Sequence, residues 1–301
     1  MVNGAHVGQA PGGEVLSYGQ ARQSPCASCA TSPCCTYVRL STFEMDTLSH
    51  VDYAFYLLNF DHLELGLRAS GQWTVFYRAP CRFLDRRDFS CTIHDSPRQP
   101  RVCVHYSPYD CWYRRLLGSS VSDEFLRIDR TRFQFVVDRL TFDDDRNIVE
   151  TPSWDILLEG FAHLPMAPIS EGLDDSTPAQ ALHVLPMAAS SDGVSAADRC
   201  DSCSAYCCTY VSFPQDPPRT LADLDHFQYM LGFTGLELGI SNDGWSAVVR
   251  SRCRHLVGNR CSIFGQPERP LRCKYYDAWK CTYKPRFEGN DQAGYARVQI
   301  D

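Results

Sequence analysis

The 301 residues predict an α+β protein of two homologous small cysteine-rich domains, each a helix plus a β-hairpin with metal-bound cysteine loops. Three observations predict it. The first is a pattern of eight cysteines that occurs twice and uses all 16 in the chain. One set is Cys26, Cys29, Cys34, Cys35, Cys81, Cys91, Cys103 and Cys111; the other is Cys200, Cys203, Cys207, Cys208, Cys253, Cys261, Cys273 and Cys281. Each opens with CxxC and a vicinal CC, and each ends with intervals of 11 and 7 intervening residues. The second observation is a wider repeat: CCTYV at 34–38 and 207–211, and LELG at 63–66 and 236–239. Its period, near 173 residues, is too long for a solenoid and means a tandem pair of domains. The third is the order of helix and hairpin signals within each copy.

Taken along the chain, residues 1–24 read as a flexible tail rich in Gly, Ala and Gln, and 25–120 as the first cysteine-cluster copy. Ser41-x-x-Glu44 has the form of a capping box, with Met45, Leu48, Val51, Phe55 and Leu58 following at helical spacing. A hairpin follows, Leu63–Arg68 and Trp73–Arg78 turning at Ser70-Gly71. Residues 121–166 extend the first copy alone, with mixed strand and helix signals around Phe133, Phe135, Val136, Leu140 and 154–161. Residues 167–198, small, polar and Pro-bearing, read as an interdomain linker. The second copy, 199–301, has Thr220-x-x-Asp223 opening a helix through Phe227, Met230 and Leu231, and Asn242-Asp243-Gly244 as its hairpin turn. The cysteine-rich closing segments are short, with Pro, Gly and charge, and need a cross-link to be ordered.

Sixteen patterned thiols are either metal ligands or disulfides. The N-terminus shows no basic region followed by an apolar one, so no secretory signal is read and the expected compartment is the cytoplasm, where thiols stay reduced. No apolar run approaches the ~20 residues of a membrane span. CxxC suits metal because both thiolates reach one ion at about 2.3 Å from zinc. Adjacent cysteines diverge, so Cys34 and Cys35, and likewise Cys207 and Cys208, are expected to serve different ions. That gives two four-thiolate sites per copy, interlocked at the CC pair. A disulfide framework is the competing reading.

The net charge of −7 hides a segregation. Segments 78–115 and 250–286 hold 18 of the 29 Lys and Arg residues, and both coincide with the closing cysteines. A four-thiolate site holding Zn²⁺ or a [4Fe–4S] cluster keeps net negative charge, so cations beside it would lower the thiol pKa values. Arg82, Arg101, Arg254 and Arg272 are the candidates placed alike in both copies, with Arg78 and Arg250 as a further pair. Plain surface charge is the other reading, and a nucleic-acid or phosphate patch a third.

The CxxC-x(3–4)-CC opening, the later cysteine pair and the Pro three residues before the next cysteine resemble the YkgJ-type cysteine-cluster family, a zinc- or iron-chelating domain with eight cysteines. Arg269-Pro270-Leu271-Arg272-Cys273 looks like its RPxxC element; the first copy keeps Pro100 and Cys103 but has Gln99 in place of the Arg. The resemblance covers 26–115 and 200–283 and implies bound zinc or iron, as ions or iron–sulfur, with no defined activity.

His94, His105 and His255 lie near cysteines, but the matching positions hold Phe264, Tyr275 and Phe83, so sites common to both copies are expected to be all-cysteine. Tyr106, Tyr276 and Trp112 read as packing around the last cysteines. Glu64 and Glu237 read as solvated strand residues, with pairing to an Arg as the alternative. No phosphate-binding loop, HExxH or GxSxG occurs, and no catalytic residue is assigned. The expected function is metal binding, zinc or iron, by eight thiolates per domain. A structural metal module serving as an interaction scaffold is one form of this; an iron–sulfur redox protein or enzyme and a metal buffer are the alternatives. Metal ions are the expected partners, a protein partner would suit the scaffold, and neither a membrane nor a nucleic acid is expected.

Overall fold

The structure, a computed structural model, describes residues 15–29, 32–117, 124–166, 203–277, 281–283, 287 and 295–300. Cys200, the expected linker and the first 14 residues of the expected tail lie outside the described residues. Residues 15–24 do not read as a loose tail. They hold helix α1 (Tyr18–Ala21), opened by a Ser17 capping box. The Tyr18 N–H docks on Asp95 at 2.6 Å.

The fold is α+β with antiparallel sheets. In the first half, β1 (Tyr37–Phe43) leads to α2 (Leu48–Leu57) and the hairpin β2 (Leu63–Arg68) and β3 (Trp73–Arg78). Short helices α3 (Arg101–Val104) and α4 (Trp112–Leu117) follow, then β4 (Phe125–Ile128) and α5 (Arg130–Val137). The small strands β5 (Thr141–Phe142) and β6 (Ile148–Glu150) precede α6 (Trp154–Ala162). In the second half, β7 (Tyr210–Gln215), α7 (Leu221–Leu231), β8 (Leu236–Ser241) and β9 (Gly244–Arg250) come before the short pair β10 (Leu256–Val257) and β11 (Arg260–Cys261). Helix α8 (Leu271–Lys274) and β12 (Tyr295–Val298) close the described chain. The larger sheets have like strand orders, β1-β3-β2-β4 and β7-β9-β8-β12.

Both hairpins fall where alternation and turn residues put them. Gly244, at φ +130, supplies the left-handed turn in the second. The start of α2 differs from expectation. Ser41 and Thr42 are strand residues paired with Val75 and Thr74, and Thr47 caps the helix by accepting the His50 N–H at 3.4 Å. The β-branched and aromatic run 37–43 satisfies its backbone in the sheet, which overrides a local capping pattern. In the second half the expected box forms: Thr220 and Asp223 bond reciprocally at the head of α7.

The extension of the first half is mixed strand and helix, as expected, but its first strand is not unique to it. β4 pairs with β2 and β12 pairs with β8, in matching registers that set Arg127 opposite Gly66 and Arg297 opposite Gly239. The two strands share the pattern Phe/Tyr-x-Arg-Ile/Val. Each lays its aromatic over a LELG glycine: a Cβ at Gly66 would collide with the Phe125 ring, and one at Gly239 with Tyr295. The LELG glutamates are not solvated. Glu64 and Glu237 are both 5% exposed, and each pairs with the arginine of its edge strand. A carboxylate on the buried sheet face needs such a partner. Arg132, 1% exposed, instead donates to the carbonyls of Arg127, Phe161 and Leu164, where the end of α6 concentrates negative dipole.

One hydrophobic core runs through both halves, joining Leu57, Leu65 and Val75 to Phe213, Met230, Phe233 and Val249. The seam between them is reciprocal. Cys81 bridges to Phe233 and Cys253 to Phe60. The Arg82 N–H donates to Gly232 O and the Arg254 N–H to Asn59 O, each at 2.8 Å. Helices α3 and α8 both begin at a proline with no cap of their own. The other half supplies one. Asp225 accepts the N–H groups of Arg101 and Val102 at 2.7 and 2.8 Å, and Asp52 those of Leu271 and Arg272 at 2.9 and 3.4 Å. Asp225→Ala and Asp52→Ala should each lower stability by about 0.5–2 kcal/mol, the usual worth of an N-cap. Urea melts check this, and amide exchange should accelerate in α3 for the first variant and in α8 for the second. Acceleration in the helix that carries the mutation, and not in the opposite half, would contradict it. Among the described residues, no helix is long and apolar enough to cross a membrane.

Candidate functional site

The closing segments fold back so that cysteines distant in sequence converge on the vicinal pair. Pro33–Cys35 and Tyr206–Cys208 are single 3₁₀ turns, entered through a left-handed residue, Ser32 at φ 35 and Ala205 at φ 54. The Cys35 carbonyl then accepts the N–H of Cys81, and the Cys208 carbonyl that of Cys253, both at 2.7 Å. The sulfurs of Cys34 and Cys35 lie 3.9 Å apart. Among the described residues, no disulfide joins Cys26, Cys34, Cys35, Cys81, Cys91, Cys103 or Cys111, nor Cys203, Cys207, Cys208, Cys253, Cys261, Cys273 or Cys281.

Electrostatic reach links the thiols. Cys26 feels Cys34, Cys111 and Cys29. Cys103 feels Cys34, Cys81 and Cys91, and Cys35 feels Cys34, Cys81 and Cys103. In the first half, opening and closing thiols alike therefore reach Cys34, which Cys26, Cys81, Cys91 and Cys103 all feel. The second half repeats this: Cys203 feels Cys207 and Cys281, while Cys273 feels Cys207, Cys253 and Cys261. Among the described residues, no three His, Cys, Asp or Glu side chains are yet gathered tightly enough to hold an ion.

The sulfurs attract backbone donors. N–H groups two residues on, from Phe83, Ile93 and His255, bond Cys81, Cys91 and Cys253 and favour their thiolates, against burial that raises the first two. The Arg114 N–H and the Tyr106 hydroxyl both donate to Cys111 Sγ at 3.3 Å. Such donors favour sulfur as thiolate. The expected lowering by the basic islands is nevertheless outweighed at most positions. Burial pushes Cys26 and Cys81 up to about 11 and Cys273 up to about 12, and it raises Cys103 as well. Removing a thiolate from water costs more than a half-exposed guanidinium returns. Only where a neighbouring thiol donates is the order reversed. Cys35 lowers Cys34 and Cys208 lowers Cys207, while Cys253, also bonded to Cys208, drops to about 7.

Of the four arginines expected beside the cysteines, Arg82 and Arg254 reach Cys81 and Cys253. Arg272 lies instead over the rings of Tyr53 and Tyr56, with centroids at 5.1 and 5.6 Å. Arg101 enters through its backbone, on Asp225. Arg269, of the RPxxC element, also reaches Cys207 and Cys273, where it opposes the upward push of burial, and its buried Nε has no hydrogen-bond partner. In the first half Gln99 bonds the Asp95 N–H from that place. The His94 ring lies against Asp95, 3.1 Å away, and against Tyr18.

Each half also covers the other's thiols, which nothing local in the sequence signals. Tyr229 of α7 donates to the Cys34 carbonyl at 2.9 Å and meets the Tyr113 hydroxyl at 3.3 Å. Its counterpart Tyr56 of α2 lies within reach of Cys273 and Cys207. Tyr37, Phe76, Leu117 and Phe125 pack beneath Cys34 and Cys111. The result is a pair of half-buried, thiol-rich clusters, each partly covered by the opposite half. No protein-family model, no curated protein and no solved structure matches the chain.

Proposed function

We propose that this is a metal-binding protein of two homologous cysteine-cluster domains, in which eight thiolates per domain hold zinc or iron in two sets that part at the vicinal pair. The observation that supports it is that, in both halves, described thiols of the opening and the closing segments reach the vicinal pair. Cys26, Cys29, Cys34 and Cys111 would form one set, and Cys35, Cys81, Cys91 and Cys103 a second. Cys200, Cys203, Cys207 and Cys281 would form the third set, and Cys208, Cys253, Cys261 and Cys273 the fourth. The donors suit the group: all-sulfur tetrahedral coordination fits both zinc and iron–sulfur. The N–H groups aimed at sulfur, and the unpartnered Arg269 Nε beside Cys207 and Cys273, are what an anionic thiolate site requires. Thiols whose pKa burial has raised would release protons as an ion draws them together. Bound metal supplies the charge that these buried sulfurs lack and fixes the closing segments to the sheets. The protein belongs, on this reading, with the YkgJ-type family it resembles and to a reducing compartment such as the cytoplasm.

Anaerobic purification followed by metal, sulfide and thiol analysis tests this. The expected result is either about four zinc ions in a colourless protein, one per four-thiolate set, or iron with sulfide and broad visible absorbance. A metal-free preparation without titratable thiols would replace the proposal with a disulfide framework.

A further inference from the structure

Away from the cysteines, a cavity of about 190 Å³ opens beside β2, lined by His62, Leu63, Glu64, Arg78, Asp129 and Met166. It is smaller than the ~300–1,000 Å³ clefts of drug-sized ligands, so its occupant is small. His62 stands at φ +64, where the matching residue of the second half is Gly235 at φ +77. A side chain in that conformation carries strain that glycine avoids, and such strain gathers at functional positions. At Gly235 the glycine has a packing reason, because the Tyr77 hydroxyl from the first half lies where a Cβ would be. The residue matching Tyr77 is Val249, and no equivalent hydroxyl is available to His62.

The imidazole is also underused. Its Nδ1 is buried with no hydrogen-bond partner. Both carboxylates on the wall are engaged: Glu64 with Arg127 and Tyr37, and Asp129 with the Arg132 N–H at the head of α5. Among the described residues Arg78 has no ion pair. The wall therefore offers one uncommitted guanidinium and one imidazole. Burial, then Arg78, holds His62 below the usual imidazole range, so the ring is neutral and keeps an N–H to donate.

We propose that this cavity binds a small oxyanion, a carboxylate or a phosphate, between the Arg78 guanidinium and an N–H of His62. Leu63 and Met166 give it an apolar side that accepts a short hydrocarbon stem.

The test titrates the full chain with sodium acetate and, separately, with inorganic phosphate at constant ionic strength, reading the His62 ring resonances and the melting temperature. A saturable response to acetate alone assigns a carboxylate; a response to phosphate, alone or with acetate, assigns oxyanions carrying phosphate chemistry. His62→Gly restores the residue that the backbone conformation favours, so it should fold, and with Arg78→Gln it should weaken binding about tenfold or more. Arg250→Gln, the matching change in the second half, should leave binding unchanged. No saturable response to either anion, or an undiminished thermal response in His62→Gly, overturns the proposal.

Discussion

Arg127→Met should destabilise the protein by about 3–5 kcal/mol, the usual cost of removing one partner from a buried ion pair. The side chains of Arg127 and Glu64 are 3% and 7% exposed. Arg127 Nε lies 2.6 Å from Glu64 Oε1, and Nη2 bonds both Glu64 Oε2 at 2.9 Å and the Tyr37 hydroxyl at 2.7 Å. Tyr37 closes the triangle by donating to Glu64 Oε2 at 3.0 Å. Methionine keeps the volume and removes every one of these donors but the tyrosine. The penalty is therefore the stranded carboxylate, and Glu64→Gln in the same chain should recover much of it, since a neutral amide costs less to bury. Equal stability of the single and double variants in urea melts would contradict the argument.

The same substitution at Arg297 discriminates further. Its bonds to Glu237 are as short, 2.6 and 2.7 Å, but its side chain is 34% exposed. Water can reach that carboxylate when the arginine leaves, and screening already weakens the pair. The loss there should be clearly smaller than at Arg127. Because Tyr37 lies in the cluster beneath Cys34 and Cys111, Arg127→Met should also loosen the opening thiol set of the first half. Faster reaction of Cys34 with a thiol reagent would report it.

This triangle also separates what local sequence carries from what it does not. CCTYV and LELG were visible as repeats, and the hairpins followed from alternation and turn residues, which are local signals. The third corner was not read, although the Phe/Tyr-x-Arg-Ile/Val strand begins 14 residues after the last cysteine in both halves. Four residues are too few to show a period, and burial of Glu64 and Glu237 depends on a strand more than 55 positions away. The start of α2 departs from expectation for a related reason: Ser41 fits a capping pattern, but its pairing with Val75 holds it in a strand. In the candidate site, the cysteine spacing is legible because thiols are written in residue type. The reciprocal caps of Asp52 and Asp225, and the covers Tyr56 and Tyr229, are not. They face the opposite half, and contacts across a seam leave no periodicity within either segment.

On the metal-binding reading, removing the metal should have the largest effect of all, and an uneven one. Structural zinc in small domains contributes on the order of 10 kcal/mol, comparable to the whole stability of a domain. The two sheets do not depend on it. Leu65, Val75, Phe213 and Val249 lie at 0–1% exposure in the shared core, built from residues outside the closing segments. Those segments have no comparable core: Tyr109, Val257, Phe264 and Tyr275 are 61–82% exposed, and α3 and α8 have four residues each. Chelation should therefore leave the strand signal in circular dichroism while amide exchange across 81–111 and 253–281 rises to the rate of an unfolded chain. Cys35→Ser should empty only the set of Cys81, Cys91 and Cys103, and Cys208→Ser only that of Cys253, Cys261 and Cys273. Some loosening should nevertheless cross the seam, because α3 is capped by Asp225 and α8 by Asp52. Its size is that of a cap, about 1 kcal/mol, too little to release a bound ion from the opposite half. If either serine variant emptied both halves, the two clusters would be one site and the division at the vicinal pair would be wrong.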